Sequence, residues 1–324
     1  MTVVGAGYVG LALCRQLDAA GHAVTGVRRS PQPVRDAGID AVAADVTDPE
    51  TLSPLPDADA VVFAASSGGR GPEPARRVFV EGLQNTIDAY ADRASPPDRL
   101  VYTSSTGVYG DHDGAWVDEE TPLDPQTEKT AVLAEAERVA IETAGEAGID
   151  GTVARFAGLY GPDRYRLERY VDGPVTQGYL NMVHRDDAAG AVRFLLTGGS
   201  PSDDSPPPES QADDPSSPVD GSADSPRSSP ADHARGEVVT VVDDEPVEKW
   251  TFADWLADEC GVARPEKQTK DERIAAGDLS AAARRRIRTS KRVDNTTLRE
   301  LGYEFRFPTF RSGYRAAVAA YADG

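Results

Sequence analysis

Three glycines packed into six residues near the amino end constrain this chain more than any other feature. Val3–Gly10 reads Val-Val-Gly-Ala-Gly-Tyr-Val-Gly, which spaces Gly5, Gly7 and Gly10 as G-x-G-x-x-G. Two β-branched residues lead in, and the apolar pattern Val9, Leu13, Leu17 leads out at helical spacing until Gly21. A strand, a tight turn and a helix therefore follow one another. In such a unit the first glycine permits the turn and the second lets a diphosphate approach the backbone. The third lets the helix lie close on the strand. The free N–H groups and positive dipole end of the helix then face the phosphates. Gly5, Gly7, Tyr8, Val9 and Gly10 are the first candidate cofactor-binding residues.

The rest of the chain repeats the alternation. Apolar runs at Ala23–Val27, Ile39–Ala44, Ala60–Ala65 and Leu100–Ser104 read as strands, with helical character over Pro74–Tyr90 between the last two. Ala60–Ala65 is continuously apolar, as expected where both sheet faces are covered. Strand–helix alternation predicts an α/β fold, a Rossmann-type doubly wound parallel sheet, with ligands beyond the carboxyl ends of its strands. Gly5–Gly10, Ala64–Ser67 (with Ala64, Ala65 and Ser66) and Ser104–Gly110 are expected to converge there.

The end of the second strand bears on the cofactor. An Asp or Glu there commonly meets a free ribose 2′-hydroxyl, but this chain has Arg28-Arg29. Guanidinium forks suit a 2′-phosphate, which favours NADP, with NAD as the alternative. Asp45-Val46 closes the third strand. Asp45 either accepts from an adenine amino group or serves its own turn, and Thr47 and Asp48 before Pro49 read as a helix cap.

Charge excludes some partners. With 54 acidic against 34 basic residues the formal net charge is −20, a field that repels nucleic acid and anionic membrane surfaces. A small-molecule substrate is expected instead. The lysines are confined to positions 129, 249, 267, 270 and 291. An acidic, lysine-poor surface resembles that of salt-loving cytoplasmic proteins, whose self-repulsion is screened within about 3 Å at 1 M salt. Cys14 and Cys260 form no paired or metal-binding motif, no apolar run reaches spanning length, and Asp111-His112-Asp113 reads as a solvated turn, so no metal is assigned. The basic run Arg284–Arg286, Arg288, Lys291 and Arg292 reads either as a solvated helix face or as a clamp on an anionic substrate.

Several stretches together resemble the extended short-chain dehydrogenases/reductases of the NAD-dependent epimerase/dehydratase superfamily. They are Val101–Gly110 (Val-Tyr-Thr-Ser-Ser-Thr-Gly-Val-Tyr-Gly), Arg155–Pro162, Asn181–Ala188, Gly236–Pro246 and Lys291–Gly302. The resemblance spans nearly the whole chain outside 199–235. It implies a Rossmann domain made of 1–165 with 180–198 and 236–243, and a small C-terminal lobe of 166–179 and 244–324. The Ser/Pro/Asp-rich stretch 199–235 carries too little apolar surface to order itself and is expected to be a disordered insertion.

Such enzymes pair a Ser or Thr with a Tyr-x-x-x-Lys on the next helix, the Lys holding the ribose and depressing the Tyr pKa. The matching serine is Ser105. Counting from Pro125, Lys129 stands at the tyrosine position and Leu133 at the lysine position, with Glu137 where the family often keeps an acid. The chain is therefore similar to atypical members that lack the pair. Three readings stay open: Lys129 stands in as proton donor or ribose contact, Tyr109 or Tyr160 reaches the pocket, or the protein binds nucleotide without turnover. His184 reads as a structural hydrogen-bonding group. Of Asn181 and Arg155, one is expected to face substrate and the other to be a buried anchor. A homodimer through the helices at Pro74–Tyr90 and Thr127–Ala144 is implied by resemblance.

Overall fold

The computed structural model describes residues 1–69, 71–199, 229–277 and 279–322. Its centre is a seven-stranded sheet of β1 (Thr2–Val4), β2 (Thr25–Val27), β3 (Asp40–Val42), β4 (Ala60–Phe63), β5 (Arg99–Ser105), β6 (Asp150–Phe156) and β7 (Val238–Val241). The spatial order is β7-β6-β5-β4-β1-β2-β3 and every pairing is parallel. The order reverses between β1 and β4, which opens a crevice above the carboxyl ends of the strands.

Helices cover both faces, as a parallel sheet requires. On one side α1 (Tyr8–Ala19) packs with Leu13, Cys14 and Leu17 buried. On the other, a helix running through Pro72–Arg76, Arg77–Glu81 and Gly82–Ala91 (α2) lies beside one running through Glu128–Arg138, Val139–Thr143 and Ala144–Glu146 (α3). The middle segment of each is a π-helical turn, in which the backbone bonding is wider by one residue. Thr127 caps α3, trading side-chain and backbone bonds with Thr130. The α4 helix (Arg185–Thr197) joins α1 on the first face, with Phe194 and Leu195 buried.

A third apolar cluster, away from the sheet, gathers Tyr160, Leu167, Met182, Val247, Phe252 and Phe310. It includes α6 (Lys249–Cys260), so a smaller lobe has its own core. The boundary differs from the expected one. Val293, Leu298, Tyr303 and Phe305 pack into the sheet core rather than the lobe, whereas Tyr160 and Met182 belong to the lobe cluster. The physical reason is that the sheet face left bare beside α4 needs apolar cover, and the 293–305 segment supplies it.

Most of the expected insertion, 200–228, lies outside the described residues. Its last part is corrected: Ser229 caps a short helix, α5 (Pro230–His233), in a reciprocal box with Asp232. Ala231 and Ala234 are buried, and Thr152 Oγ1 donates to the Ala234 carbonyl at 2.7 Å. The chain leaves α4 at Gly198 and returns beside it, since a Cβ on Gly198 would lie 3.5 Å from that of Ser229.

Candidate functional site

The three glycines of the first turn turn out to be needed for three different reasons. Gly5 has φ +94°, and a Cβ there would sit 2.3 Å from the Ala65 nitrogen. A Cβ on Gly10 would meet the Gly5 carbonyl at 2.4 Å and the Val3 side chain at 3.3 Å, so this residue sits under the turn and lets α1 close on β1. A Cβ on Gly7 would have nothing nearer than 3.8 Å. The space beside Gly7 is open, at the first exposed N–H groups of α1, and a diphosphate fits there. The residues present thus suit a dinucleotide.

Around this point lies a cleft of about 1090 Å³. Its wall takes residues from the ends of six strands, β1 to β6. Gly5, Gly7, Tyr8, Val9, Arg28, Arg29, Asp45, Val46, Ala64, Ala65, Ser66, Ser105 and Lys129 all contribute to it. Of the three turn glycines, Gly10 alone is not on the wall, being beneath the turn.

The cleft inverts the charge of the chain. Arg28, Arg29, Arg77, Lys129, Arg164 and Arg166 line it against two carboxylates, Asp45 and Glu73. Among the described residues none of these six cations has a carboxylate within 4.0 Å. Arg28 Nη1 donates to the Ala6 carbonyl at 3.2 Å, which draws its side chain towards the glycine turn. Asp45 serves its own turn, its Oδ1 accepting from the Thr47 N–H at 3.0 Å and hydroxyl at 2.9 Å. The Thr47 N–H, helped by the Arg29 and Arg77 charges, holds its carboxyl below the usual range. Asp48 caps the short helix that follows.

At the other end, Ser105 closes β5. Its Oγ accepts from the Gly107 N–H at 3.2 Å, which leaves its own O–H to donate outward. Lys129, exposed in the first turn of α3, carries its Nζ 6.0 Å from the centre of the Phe79 ring. Leu133 is on the same wall.

The alternative that Tyr109 or Tyr160 reaches the pocket is overturned. Tyr109 is fully buried, its oxygen accepts from Arg155 Nη1 at 2.9 Å, and burial pushes its pKa up to about 12. Tyr160 stacks on Tyr314 at 4.9 Å in the lobe core, its hydroxyl buried without a partner among the described residues, and burial raises its pKa further still. Neither lines the cleft. The phenol that does is Tyr8, whose hydroxyl donates to the Pro162 carbonyl at 3.0 Å. Burial, against the pull of Arg185 and Arg164, lifts it to about 12.

Other expectations sort themselves by contact. Arg155 is a buried anchor, its guanidinium bonded to Glu137 at 2.7 Å, while Ser104 Oγ donates to the same carboxylate at 2.6 Å. Asn181 does not face the cleft. It latches the C-terminal segment, donating to the Lys291 carbonyl at 2.9 Å and accepting from the Val293 N–H at 2.7 Å. His184 is buried and accepts from the Asp186 N–H at 3.2 Å, and burial lowers its pKa to about 4, so it stays neutral. Asp111 accepts from the Ser290 N–H at 2.8 Å.

The basic run is not a clamp on this site. Arg284–Arg286 and Arg288 sit on an exposed helix, α7 (Ala281–Arg288), and Lys291 is buried with its Nζ donating to the Gly110 carbonyl at 2.9 Å. None of them lines the cleft. The cations that do, and that sequence reasoning missed, are Arg77, Arg164 and Arg166. Arg77 heads the π-helical turn of α2, which sets Arg77, Val78 and Phe79 consecutively on the wall.

A parallel doubly wound sheet with a glycine-cradled cleft at its switch point defines a nucleotide-binding α/β protein. The model of the NAD dependent epimerase/dehydratase family matches residues 1–201, and the chain belongs to that family. It is 34% identical over 206 residues to Protein YeeZ of Escherichia coli, covering 60% of this chain and 72% of that one. The structure of a putative NAD-dependent epimerase/dehydratase from Methylobacillus flagellatus superposes with TM-score 0.69 at 28% identity, over 98% of this chain and 97% of that one. Human epimerase family protein SDR39U1, solved with NADPH, shares the fold with TM-score 0.69 at 19% identity, over all of both chains. No helix among the described residues is long and apolar enough to cross a membrane.

Proposed function

We propose that this protein is an NADP-preferring oxidoreductase or epimerase-like enzyme acting on a hydroxylated, sugar-like metabolite. The observation that carries the cofactor preference is Arg28-Arg29 on the cleft wall, neither of which has a carboxylate within 4.0 Å among the described residues. Guanidiniums so placed suit a 2′-phosphate bidentately.

A bound nicotinamide supplies the hydride chemistry. The chain's own residues position the substrate and handle the proton. Ser105, with Oγ already accepting from Gly107, donates its hydroxyl hydrogen to the reacting oxygen and polarises it. Lys129 offers an ammonium from the facing helix, in place of a phenol, as the proton partner of that oxygen. A second reading has its own support. With Leu133 on the wall and Lys129 exposed, the pair that usually tunes a phenol is missing, and a nucleotide sensor without turnover fits those two positions.

The test is a titration with NADPH and NADH in molar KCl, of the wild type and of Arg28→Ala/Arg29→Ala. The proposal expects NADPH to bind at least tenfold more tightly than NADH, and the double variant to lose about ten- to a hundredfold for NADPH while barely changing for NADH. Equal affinities in the wild type would end the NADP preference. Tight NADPH binding with no oxidation across a panel of carbonyl substrates would favour the sensor. With any substrate found, unchanged turnover in Ser105→Ala and Lys129→Ala would remove both catalytic assignments.

A further inference from the structure

We infer that Arg164 closes over the cofactor diphosphate at the start of α1, with the Tyr8 ring as its platform. This rests on the dinucleotide reading above and adds a residue to it. Tyr8 follows Gly7 directly, so its ring borders the open space at the helix start. Its hydroxyl ties down the passing loop by donating to the Pro162 carbonyl at 3.0 Å. The loop is pressed hard onto this corner, since a Cβ on Gly161 would lie 3.0 Å from His184 Nε2 and 3.2 Å from the Tyr8 oxygen. The chain then turns through Asp163 at φ +65°, the Arg164 N–H donating to the Gly161 carbonyl at 2.9 Å. That turn sets the Arg164 guanidinium 4.1 Å above the centre of the Tyr8 ring.

Arg164 is exposed, lines the cleft, and has no carboxylate partner among the described residues. Arg185 makes a useful contrast. It approaches the same ring at 5.5 Å, yet its Nε donates to Asp186 at 2.8 Å and it is absent from the cleft wall. Of the two arginines on Tyr8, one is neutralised by the protein and the other is left for a ligand. Stacking restricts the rotamers of Arg164 while its fork of N–H groups stays available, which suits two phosphate oxygens at once. Arg164 lines the same cleft as Gly7, where the turn is open to a diphosphate. The 2′-phosphate cations Arg28 and Arg29 come from the end of a different strand.

The diphosphate is common to NADPH and NADH, and the 2′-phosphate is not. Calorimetric titration of Arg164→Ala at fixed KCl is therefore expected to weaken NADPH and NADH by the same factor, about tenfold or more. Arg164→Lys, which keeps the charge and loses the fork, is expected to fall between. Arg28→Ala is expected to affect NADPH alone. Since Arg164 is exposed, the melting temperature of the ligand-free Arg164→Ala variant should equal that of the wild type. Both dinucleotides binding to Arg164→Ala within twofold of wild type would overturn the inference while leaving the cofactor site intact. A loss confined to NADPH would overturn it too, by moving Arg164 to the 2′-phosphate. A wild type that binds neither nucleotide would bring down the underlying reading instead.

Discussion

Two sets of cations in this molecule are built on opposite principles. Within the scaffold, Arg155 is sealed against Glu137 with both side chains about 5% exposed, and Lys291 is buried against a single carbonyl. Along the cleft, Arg28, Arg29, Arg77, Lys129, Arg164 and Arg166 line the wall with no carboxylate within 4.0 Å among the described residues. A chain with 54 acidic residues could have paired them easily. The difference teaches that residue type is a poor guide to role here. What separates anchor from binding group is whether the protein buries and bonds the charge itself.

The comparison can be broken most decisively at Glu137. Removing one partner of a buried pair strands the other charge, which typically costs about 3–5 kcal/mol. Glu137→Ala is therefore expected to lower the denaturation midpoint sharply by strandng Arg155 and freeing Ser104. A midpoint within a degree of wild type would show that the anchor is no anchor.

The next test concerns Lys291, whose pKa burial brings down from 10.5 to about 8. Its folded pKa lies below its unfolded one, so between the two the unfolded chain binds more protons. Stability should then rise with pH from about 8 to about 10.5, by on the order of 3 kcal/mol from this group. The difference between wild type and Lys291→Met unfolding profiles isolates it. Parallel profiles across that window would put Lys291 in water rather than in the scaffold.

The smallest effect is expected from α7. Changing Arg284, Arg285 and Arg286 together to Gln should leave the NADPH dissociation constant and the melting temperature within error of wild type. A tenfold loss of NADPH affinity would return that run to the site and blur the distinction between the two sets.

Much of the architecture was legible because backbone chemistry writes it locally. The apolar runs of β1, β4 and β5 and the spacing of Gly5, Gly7 and Gly10 depend on near neighbours, and so does the cap at Asp48. The cleft residues that ride on strand ends, from Arg28 to Ser105, followed from the same logic. Arg77 and Arg164 did not, because no residue pattern around either points its side chain at the cleft. One depends on a π-helical turn and the other on a left-handed Asp163 and a ring 156 positions away. Tyr109 and Tyr160 misled for the converse reason: both end strand-like motifs, but tertiary packing turns their hydroxyls into the interior. The Ser229 box with Asp232 was readable as a helix start and was obscured by the polar stretch before it.

The near-contact of Gly198 with Ser229 gives the molecule a seam. A stretch of chain that departs and rejoins at one spot imposes no distance on its own length. Evolution can lengthen, shorten or rewrite it there while β7 keeps its place beside β6. Closing a short connection in place of the present one would change the looping entropy by only about 2 kcal/mol. The same spot offers a port for grafting a tag or a second module, opening on the sequence after α4 and leaving the strand ends around Gly7 untouched.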